Sequence, residues 1–497
     1  MDVPNVSNYA FVLSKGKQKS VVKKGLFCIT QTAEGWLIGV VEKIILENEY
    51  FSNVQTVKDY NENNPNVIKG MFPSENFEYG IAINKCLGII SFKDETKTKI
   101  SSIKRMLFPA KPGAEVYLCS KEILSEFLGF NNQNGLNLGS VKIANFDTKI
   151  DINRLLNKHF ATLAISGAGK SYLTSVLLEE LLLRDKESGV PAIILIDVHG
   201  EYVYFHNIKK FKNRVNIQDS SYFQISVPKL FAKSFKKYQE NISAAQVREL
   251  NKILTKIRNQ KQSKSYTIKD IIDNIENDDE INKSTQQALI GWLDELDYLR
   301  LFGSQENPPI EHLLKTGNLT IFNLQSETSI RKKQIIVDYI ASQLFYFRKK
   351  NKIPPFLLII EESHQFCPEA AQSKAISKWI IETIAREGRK FMACLNLISQ
   401  RPKRLSSTAL SQCNSKLILK ISNPYDLKHI QESDESITKS YTEMISSLAV
   451  GELLIVGNAV NYPTFIEVRQ RISDPTKSHS LIEMSSHWWN LHEKEKN

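Results

Sequence analysis

Residues 159–183 constrain the fold more than any other stretch of this 497-residue chain. The stretch begins with a short apolar run, Phe160–Ile165, which is typical of a buried strand. The run breaks at Ser166–Gly169, and an amphipathic pattern from about Lys170 to Leu183 then predicts a helix. Strand, glycine turn and helix in this order predict a loop whose successive backbone N–H groups surround a phosphate.

The residue types in this loop define its predicted chemistry. Gly167 and Gly169 allow the backbone dihedrals and the close approach that phosphate binding requires. Lys170 is expected to reach the β- and γ-phosphates of a nucleotide, and the Ser171 hydroxyl is expected to ligate Mg²⁺. Ala164 stands where the full pattern has its first glycine, and a glycine turn before an ordinary helix is the alternative reading. The predicted nucleotide-binding residues here are Ser166, Gly167, Ala168, Gly169, Lys170, Ser171 and Tyr172.

Composition narrows the class of protein. The chain is 42% hydrophobic and 24% charged, as soluble globular proteins are, and its length allows two to four domains. It contains no apolar run near the roughly 18 residues of a membrane span, and its N-terminus lacks the apolar core of a signal peptide. The six scattered cysteines form no C-x-x-C pair, which favours reduced thiols in a cytoplasmic protein.

The charge balance favours a polyanionic partner. The formal net charge is +11 and the isoelectric point lies near 9.1. Many lysine-rich proteins are basic without binding nucleic acid, so charge alone leaves both interpretations open.

The first 148 residues carry no catalytic signature. Short β-rich pieces separated by Gly, Asn and Pro predict a small β-barrel or sandwich. Its role is either docking of a partner or purely structural. The predicted strands are Gly25–Gln31, Trp36–Val41, Gly80–Ile83, Cys86–Phe92 and Val116–Leu118.

The stretch Ala192–Tyr202 predicts a buried parallel strand that ends in a polar cluster. Asp197, His199 and Glu201 form this cluster, at the end of the strand that faces the ligand crevice in open α/β sheets. These side chains could approach nucleotide, Mg²⁺ or a bound substrate. A structural hydrogen bond within the loop is the alternative for His199.

Residues 233–301 differ in composition from the stretch before them. Helical patterns at Ala244–Asn259 and Ile268–Glu276 carry many Lys, Asn, Gln, Asp and Glu residues, which predicts a helical insertion. The basic loop Asn259–Ser265 could touch DNA or could be a solvated surface.

The strand Phe356–Ile360 ends in two carboxylates, Glu361 and Glu362. In phosphate-loop ATPases the first acid of such a pair holds Mg²⁺ and the second polarises the attacking water. We therefore expect Glu361 at the metal and Glu362 as the general base. Adjacent strand residues point to opposite faces, so these roles can differ only where the chain leaves the strand.

The next predicted strand, Ala393–Ile398, ends near Gln400, which is expected to sense the γ-phosphate or to orient water. Arg386 and Arg389 precede this strand and are candidates for an arginine finger acting across a subunit boundary, which implies an oligomer. A surface ion pair is the alternative for each arginine. Trp488-Trp489 near the C-terminus is expected to dock on a neighbouring subunit or on the chain's own core.

Taken together, these motifs resemble the HerA family of hexameric DNA-translocating ATPases. Archaeal members share the variations at Ala164 and at the Glu361–Glu362 pair. The pieces that carry the resemblance are H-F-A-T-L-A-I-S-G-A-G-K-S at 159–171, D-V-H-G-E-Y at 197–202, I-I-E-E-S-H-Q-F at 359–366, A-R-E-G-R-K-F at 385–391, L-I-S-Q-R-P-K-R-L at 397–405 and L-S-Q-C-N-S-K at 410–416.

The resemblance implies an α/β fold: a RecA-like P-loop ATPase core of the ASCE type, with a small N-terminal β-barrel and an inserted helical subdomain. The implied boundaries are 1–148 for the barrel, 149–232 and 302–470 for the core, 233–301 for the insertion and 471–497 for a C-terminal tail that braces the adjacent subunit. ATP and Mg²⁺ are the implied cofactors.

The resemblance also implies roles for residues with no signature of their own. Arg389 matches the trans arginine finger. Lys158 stands where the family often has a nucleotide-contacting arginine, and the change from arginine loses bidentate geometry. Tyr462 and Pro463 are implied to lie near a nucleotide.

The expected function is an ATP-dependent translocase or helicase on double-stranded DNA, acting as a homo-hexamer. A NurA-like nuclease docked on the barrel side would make it a machine for DNA end resection and double-strand-break repair. Lys403 and Arg404 are the candidate DNA-contacting residues of the pore. The alternatives are a ring that serves as scaffold or motor for an effector in antiviral defence, a nucleotide-gated assembly platform, and a secretion- or conjugation-type ATPase.

Overall fold

The computed structural model describes residues 5–13, 22–48, 78–94, 99–260, 265–369 and 374–473, together with 485 and 488. The chain divides into two units, residues 1–135 with 140–149 and residues 136–139 with 150–497. Residues 261–264 of the predicted basic loop, and Trp489, lie outside the described residues. Trp488 is exposed in the single chain.

The first unit is built on a six-stranded antiparallel sheet ordered β1-β4-β3-β2-β6, with β5 paired to β4. Alternating apolar residues of its strands form the core, in which Leu37 and Ile89 are almost fully buried. The elements are β1 (Asn8–Leu13), β2 (Phe27–Thr32), β3 (Gly35–Asn48), β4 (Glu78–Phe92), β5 (Ile100–Lys104), β6 (Val116–Leu118) and helix α1 (Lys121–Leu128).

The second unit is organised around a large sheet. Its order is β10-β13-β9-β14-β15-β8-β16-β17-β18, with Gly139 of β7 at the far edge. The strands from β10 to β16 are parallel, and β17 and β18 run antiparallel to their neighbours. The strands are β7 (Gly139–Val141), β8 (His159–Leu163), β9 (Ala192–Asp197), β10 (Val215–Asp219), β11 (Ile225–Ser226), β12 (Phe302–Gly303), β13 (Leu319–Asn323), β14 (Phe356–Ile360), β15 (Ala393–Ser399), β16 (Cys413–Ile418), β17 (Glu452–Gly457) and β18 (Thr464–Val468).

Helices cover the central strands. Every residue of β8, β9, β14 and β15 is buried, which is why these strands are mostly apolar along their length rather than alternating. The helices are α2 (Ile152–Leu156), α3 (Lys170–Leu183), α4 (Ala232–Tyr238), α5 (Ala244–Gln260), α6 (Ile268–Glu276), α7 (Lys283–Tyr298), α8 (Ile310–Leu313), α9 (Ile330–Lys349), α10 (Lys378–Glu387), α11 (Ser407–Ser411), α12 (Pro424–Glu432) and α13 (Lys439–Ser446). Among these described helices, none is long and apolar enough to cross a membrane.

The helical segment α4–α7 interrupts the sheet between the short paired strands β11 and β12. A capping box starts α6, since the Thr267 side chain accepts from Asp270 N and the Asp270 side chain accepts from Thr267 N. Fully buried apolar residues of this segment, such as Ile271 and Leu289, belong to the same hydrophobic core as the central sheet.

Strand order decides the fold class. β15 lies between β8, which carries the glycine turn, and β14, which carries the two glutamates. The large and mostly parallel sheet, with helices between its strands, confirms the predicted α/β fold. The parallel arrangement also brings the carboxyl ends of β8, β9, β14 and β15 to one edge of the sheet, here called the P-loop edge.

Candidate active site

The loop between β8 and α3 has the form of a phosphate cradle. Gly167 and Gly169 adopt φ values of 77° and 99°, in the left-handed region that glycine permits. No described side chain caps the N-terminus of α3, which leaves its first N–H groups available to an anion. Ala164 is fully buried, and its N–H bonds to Ser399 O, so alanine at this position extends the sheet without blocking the loop.

The P-loop lysine is paired with the catalytic candidate from β14. Lys170 is only 6% exposed, and its Nζ atom forms an ion pair with Glu362 Oε1. The same Nζ lies 3.8 Å from Glu361 Oε1. Because a buried ammonium needs a counter-charge, the Glu362 carboxylate is the group that balances Lys170.

The second glutamate, Glu362, is itself in the left-handed region. β14 ends at Ile360, and Glu362 has φ 46° and ψ 41°. This turn lets Glu361 and Glu362 both face the P-loop edge, which an extended strand would prevent. Glu362 Oε1 also accepts a 2.7 Å hydrogen bond from Gln400 Nε2, and Glu362 Oε2 lies 3.3 Å from His364 Nδ1. Burial lowers the pKa of the His364 imidazole. No role was predicted for His364 from the sequence, although it lies in the motif I-I-E-E-S-H-Q-F at 359–366.

Glu361 is completely buried at the sheet tip. Its Oε2 accepts from Val198 N at 3.1 Å, whereas Oε1 receives no hydrogen bond from any described residue. Burial raises the pKa of Glu361 to about 8, against the opposing effect of Lys170, and the charges of Asp197 and Glu201 raise it further. An unsatisfied carboxylate oxygen beside the P-loop is what an Mg²⁺ site would use.

The loop after β9 is organised by Asp197. Its buried carboxylate accepts from the N–H groups of Gly200, Glu201 and Tyr202 at 2.8, 3.0 and 2.9 Å, and burial raises its pKa. These bonds commit Asp197 to the loop rather than to a ligand. Glu201 Oε2 accepts a hydrogen bond from Ser171 Oγ, and His199 is exposed.

The remaining side chains divide between the two edges of the sheet. Lys403 and Arg404 are exposed in the turn that follows Gln400. Lys403 Nζ lies 4.3 Å from the centre of the Tyr425 ring, and its backbone N–H donates to Asp426 Oδ1 at 2.9 Å. The turn is therefore attached to α12.

Lys158 and Arg389 lie at the opposite edge, where the parallel strands begin. Lys158 precedes β8, and its carbonyl accepts from Cys394 Sγ at the start of β15. Arg389 follows Gly388, at which a Cβ would lie 3.0 Å from Cε1 of His159, so this turn packs against the start of β8. The five residues of β8 place Lys158 roughly 17 Å from the P-loop at about 3.3 Å per residue. Arg386 is also exposed here, 3.8 Å from Glu382.

Tyr462 and Pro463 share this second edge. They lie in the hairpin between β17 and β18, and Gly457 at the end of β17 pairs with Ser415 at the start of β16. Arg154 of α2 donates to Asn458 O and Asn461 Oδ1 at 2.9 and 2.8 Å, which ties the hairpin to the segment preceding β8. The edge formed by Lys158, Arg389, Tyr462 and Pro463 is called the amino edge below.

The first residues of the C-terminal segment pack on α3. The fully buried Glu179 accepts from the N–H groups of Ile472 and Ser473 at 2.9 and 2.7 Å and from the Ser473 hydroxyl. Its other oxygen forms an ion pair with Arg469 at 2.8 Å. The Arg471 guanidinium lies 4.9 Å from the centre of the Tyr172 ring. Sequence reasoning missed this anchor because Glu179 reads as an ordinary helix residue.

This site defines a P-loop ATPase. A glycine cradle and a lysine stand at the start of α3, and two acids stand at the end of β14, with β15 between β14 and β8. The comparisons make this assignment more specific. Residues 136–344 match the family model described as the central domain of helicase HerA. A probable DNA double-strand break repair helicase HerA of Methanocaldococcus jannaschii is 31% identical over 72% of this chain and 81% of its own length. The chain therefore belongs to the HerA family.

Two further likenesses agree with this assignment. A probable helicase of Methanocaldococcus jannaschii is 28% identical over 94% of both chains. The solved structure of VirB4 from Thermoanaerobacter pseudethanolicus superposes with a TM-score of 0.52 at 16% identity, covering 70% of this chain and 98% of that one. At this identity the second likeness concerns the fold alone.

Proposed function

We propose that this chain is an ATP-driven translocase or helicase acting on double-stranded DNA. The observation that carries the proposal is the contact of one Glu362 oxygen with both Lys170 and Gln400, at the P-loop edge. Relatives whose names include DNA double-strand break repair and helicase support the choice of DNA as the substrate.

The site residues suit ATP with Mg²⁺. Ser171, Glu361 and Glu201 offer only oxygen donors, which Mg²⁺ prefers. The described ranges hold no group of three or more His, Cys, Asp or Glu that could bind a metal ion, so phosphate and water oxygens would complete the coordination. When bound, the ion neutralises charge that develops on the phosphates.

Hydrolysis would begin with an exchange of partners at Lys170. The γ-phosphate competes for the ammonium group and releases Glu362 from its ion pair. Gln400 and His364 then hold the Glu362 carboxylate, which accepts a proton from the attacking water. Exchange of this kind makes the general base available only after the nucleotide has entered.

Residues of the amino edge would act on a nucleotide bound by the neighbouring subunit. Lys158 and Arg389 are too far from the P-loop of their own chain, yet Arg389 is exposed and available to a partner. Tyr462 and Pro463 would line the same boundary. This arrangement supports a closed ring, which we propose to be a homo-hexamer.

DNA contact is assigned to Lys403 and Arg404. Both follow Gln400 within four residues, so a change in the γ-phosphate environment can move this turn directly. Binding through such residues involves backbone phosphates, and it should be salt-dependent and largely independent of sequence. A NurA-like nuclease docked on the N-terminal unit would couple translocation to end resection.

The first test is steady-state ATP hydrolysis by the purified chain, with and without long linear duplex DNA. We expect strong stimulation by DNA and displacement of a protein roadblock from the duplex. Glu362→Gln is the control that binds ATP without hydrolysing it. Turnover that ignores DNA, together with an undisturbed roadblock, would contradict the translocase proposal.

A further inference from the structure

The loop that joins β9 to the following turn has a geometry that a simple connection would not need. Both carboxylate oxygens of Asp197 accept hydrogen bonds from the N–H groups of residues 200–202. Gly200 has φ 75°, and a Cβ there would lie 2.3 Å from Gln325 Oε1, so the turn requires glycine. The result is a fixed backbone position for Glu201.

Glu201 points from this loop to the P-loop. Its Oε2 accepts the hydrogen bond of Ser171 Oγ, although the residue remains exposed to solvent. Ser171 is the P-loop hydroxyl that is expected to ligate Mg²⁺. The carboxylate therefore lies beside the hydroxyl that would hold the ion, and a ligand can reach it from solvent.

A second observation points to the same place. Glu361 is fully buried and its Oε1 receives no hydrogen bond from any described residue. Its other oxygen is bound by Val198 N, within the loop that carries Glu201. The loop after β9 therefore contacts both acids: Glu201 meets Ser171, and Glu361 lies 3.8 Å from Lys170.

We infer that Glu201 is an acid of the magnesium site. Its carboxylate would bind the ion or one of its waters, and it would release the Ser171 hydroxyl when Mg²⁺ binds with nucleotide. The inference rests on the proposed nucleotide site. Asp197 and Gly200 act as positioning residues for Glu201. The Glu201 carboxylate accepts the hydrogen bond of the Ser171 hydroxyl, just as the Glu362 carboxylate pairs with Lys170.

The test measures binding of a fluorescent ADP analogue to the full chain as free Mg²⁺ is titrated. In Glu201→Gln we expect the Mg²⁺ midpoint to rise by about 10- to 100-fold, the usual effect of losing an outer-shell ligand partner. Affinity in EDTA should be unchanged or tighter, because a negative charge near the phosphates is removed. Glu201→Asp should fall between the two, and the exposed Glu187→Gln should behave as the parent chain.

An unchanged Mg²⁺ midpoint in both Glu201 variants would overturn the inference. Equal loss of affinity with and without Mg²⁺ would also overturn it, because it would make Glu201 a structural residue. These outcomes leave the proposed function standing, whereas failure of the parent chain to bind nucleotide in the presence of Mg²⁺ would overturn both.

Discussion

Gln400 donates a 2.7 Å hydrogen bond to Oε1 of Glu362, the same oxygen that pairs with Lys170. Gln400, which follows β15, and Lys170, which begins α3, thus contact the same carboxylate oxygen. When nucleotide draws Lys170 away, Gln400 remains in contact with this oxygen, and His364 lies beside the other. The Gln400 amide is therefore suited to report the state of the γ-phosphate to the turn that follows it.

Removing that contact should slow hydrolysis without affecting binding. In Gln400→Ala we expect kcat to fall by about 10- to 100-fold, the effect of losing a hydrogen bond to a charged group. ATP affinity should stay near that of the parent chain, because Gln400 touches Glu362 and not the P-loop backbone. Single-turnover kinetics and equilibrium binding separate the two effects; a loss confined to affinity would remove Gln400 from this role.

Neutralising the base should have a larger effect. Glu362→Gln should lower hydrolysis by about 10²- to 10⁴-fold, the range for a general base, and should retain ATP. Lys170→Ala is the contrast, because it should lose nucleotide binding itself. Filter binding of labelled ATP beside a phosphate-release assay distinguishes the variants. Near-parental turnover in Glu362→Gln would show that another group accepts the proton.

Mixing two inactive chains tests whether Arg389 acts across the subunit boundary. Arg389→Ala keeps an intact P-loop edge, and Glu362→Gln keeps an intact amino edge. Co-assembled rings should regain ATP hydrolysis wherever the P-loop of the first chain meets Arg389 of the second. Each variant alone should remain inactive. Absence of recovery in rings shown by native mass spectrometry to contain both chains would argue that Arg389 acts elsewhere.

The raised pKa of Glu361 predicts how stability depends on pH. The folded chain keeps Glu361 protonated up to about pH 8, whereas the unfolded chain ionises it near pH 4.5. Between these values the unfolded state binds fewer protons, so this residue makes the nucleotide-free protein less stable as pH rises. Glu361→Gln removes the effect, which is on the order of a few kcal/mol at the upper end.

Melting temperatures of the parent chain and of Glu361→Gln, measured across this pH range, check the sign. The advantage of the variant should widen as pH rises and level off below about pH 4.5. The exposed Glu280→Gln should show no such trend. An advantage that shrinks with rising pH would mean that Lys170 stabilises the charged carboxylate more than burial penalises it.

The anchor of the C-terminal segment predicts a stability effect remote from the chemistry. Glu179→Ala removes a buried carboxylate and leaves Arg469 and two backbone N–H groups without that partner. Breaking a buried pair in this way costs about 3–5 kcal/mol. Denaturant titration should show the loss, with the exposed Glu187→Ala as control. A change within the error of that control would show that solvent replaces the anchor.

The sequence was most informative where burial alone determines structure. The predicted helix Lys170–Leu183 agrees with α3. The apolar runs before Asp197, Glu361 and Gln400 agree with β9, β14 and β15, because parallel strands covered on both faces are mostly apolar. β10 was missed, since Val215–Asp219 is largely polar and only its pairing with β13 makes it a strand.

Other contacts depend on tertiary structure. The ion pair of Lys170 with Glu362 spans 192 residues, and Glu201 reaches Ser171 only because Asp197 folds the loop. The sequence nonetheless indicates which residues belong to which of the two edges. Lys158 and Arg389 precede their strands, and residues before parallel strands lie away from the ligand crevice.

The separation of the two edges has a consequence for mixed populations. In the proposed ring, every working site needs a P-loop edge from one chain and an amino edge from the next. A chain defective at a single edge disables one site, so activity falls in proportion to its share of the mixture. A chain defective at both edges disables two sites, and random mixing then leaves working sites in proportion to the square of the intact fraction.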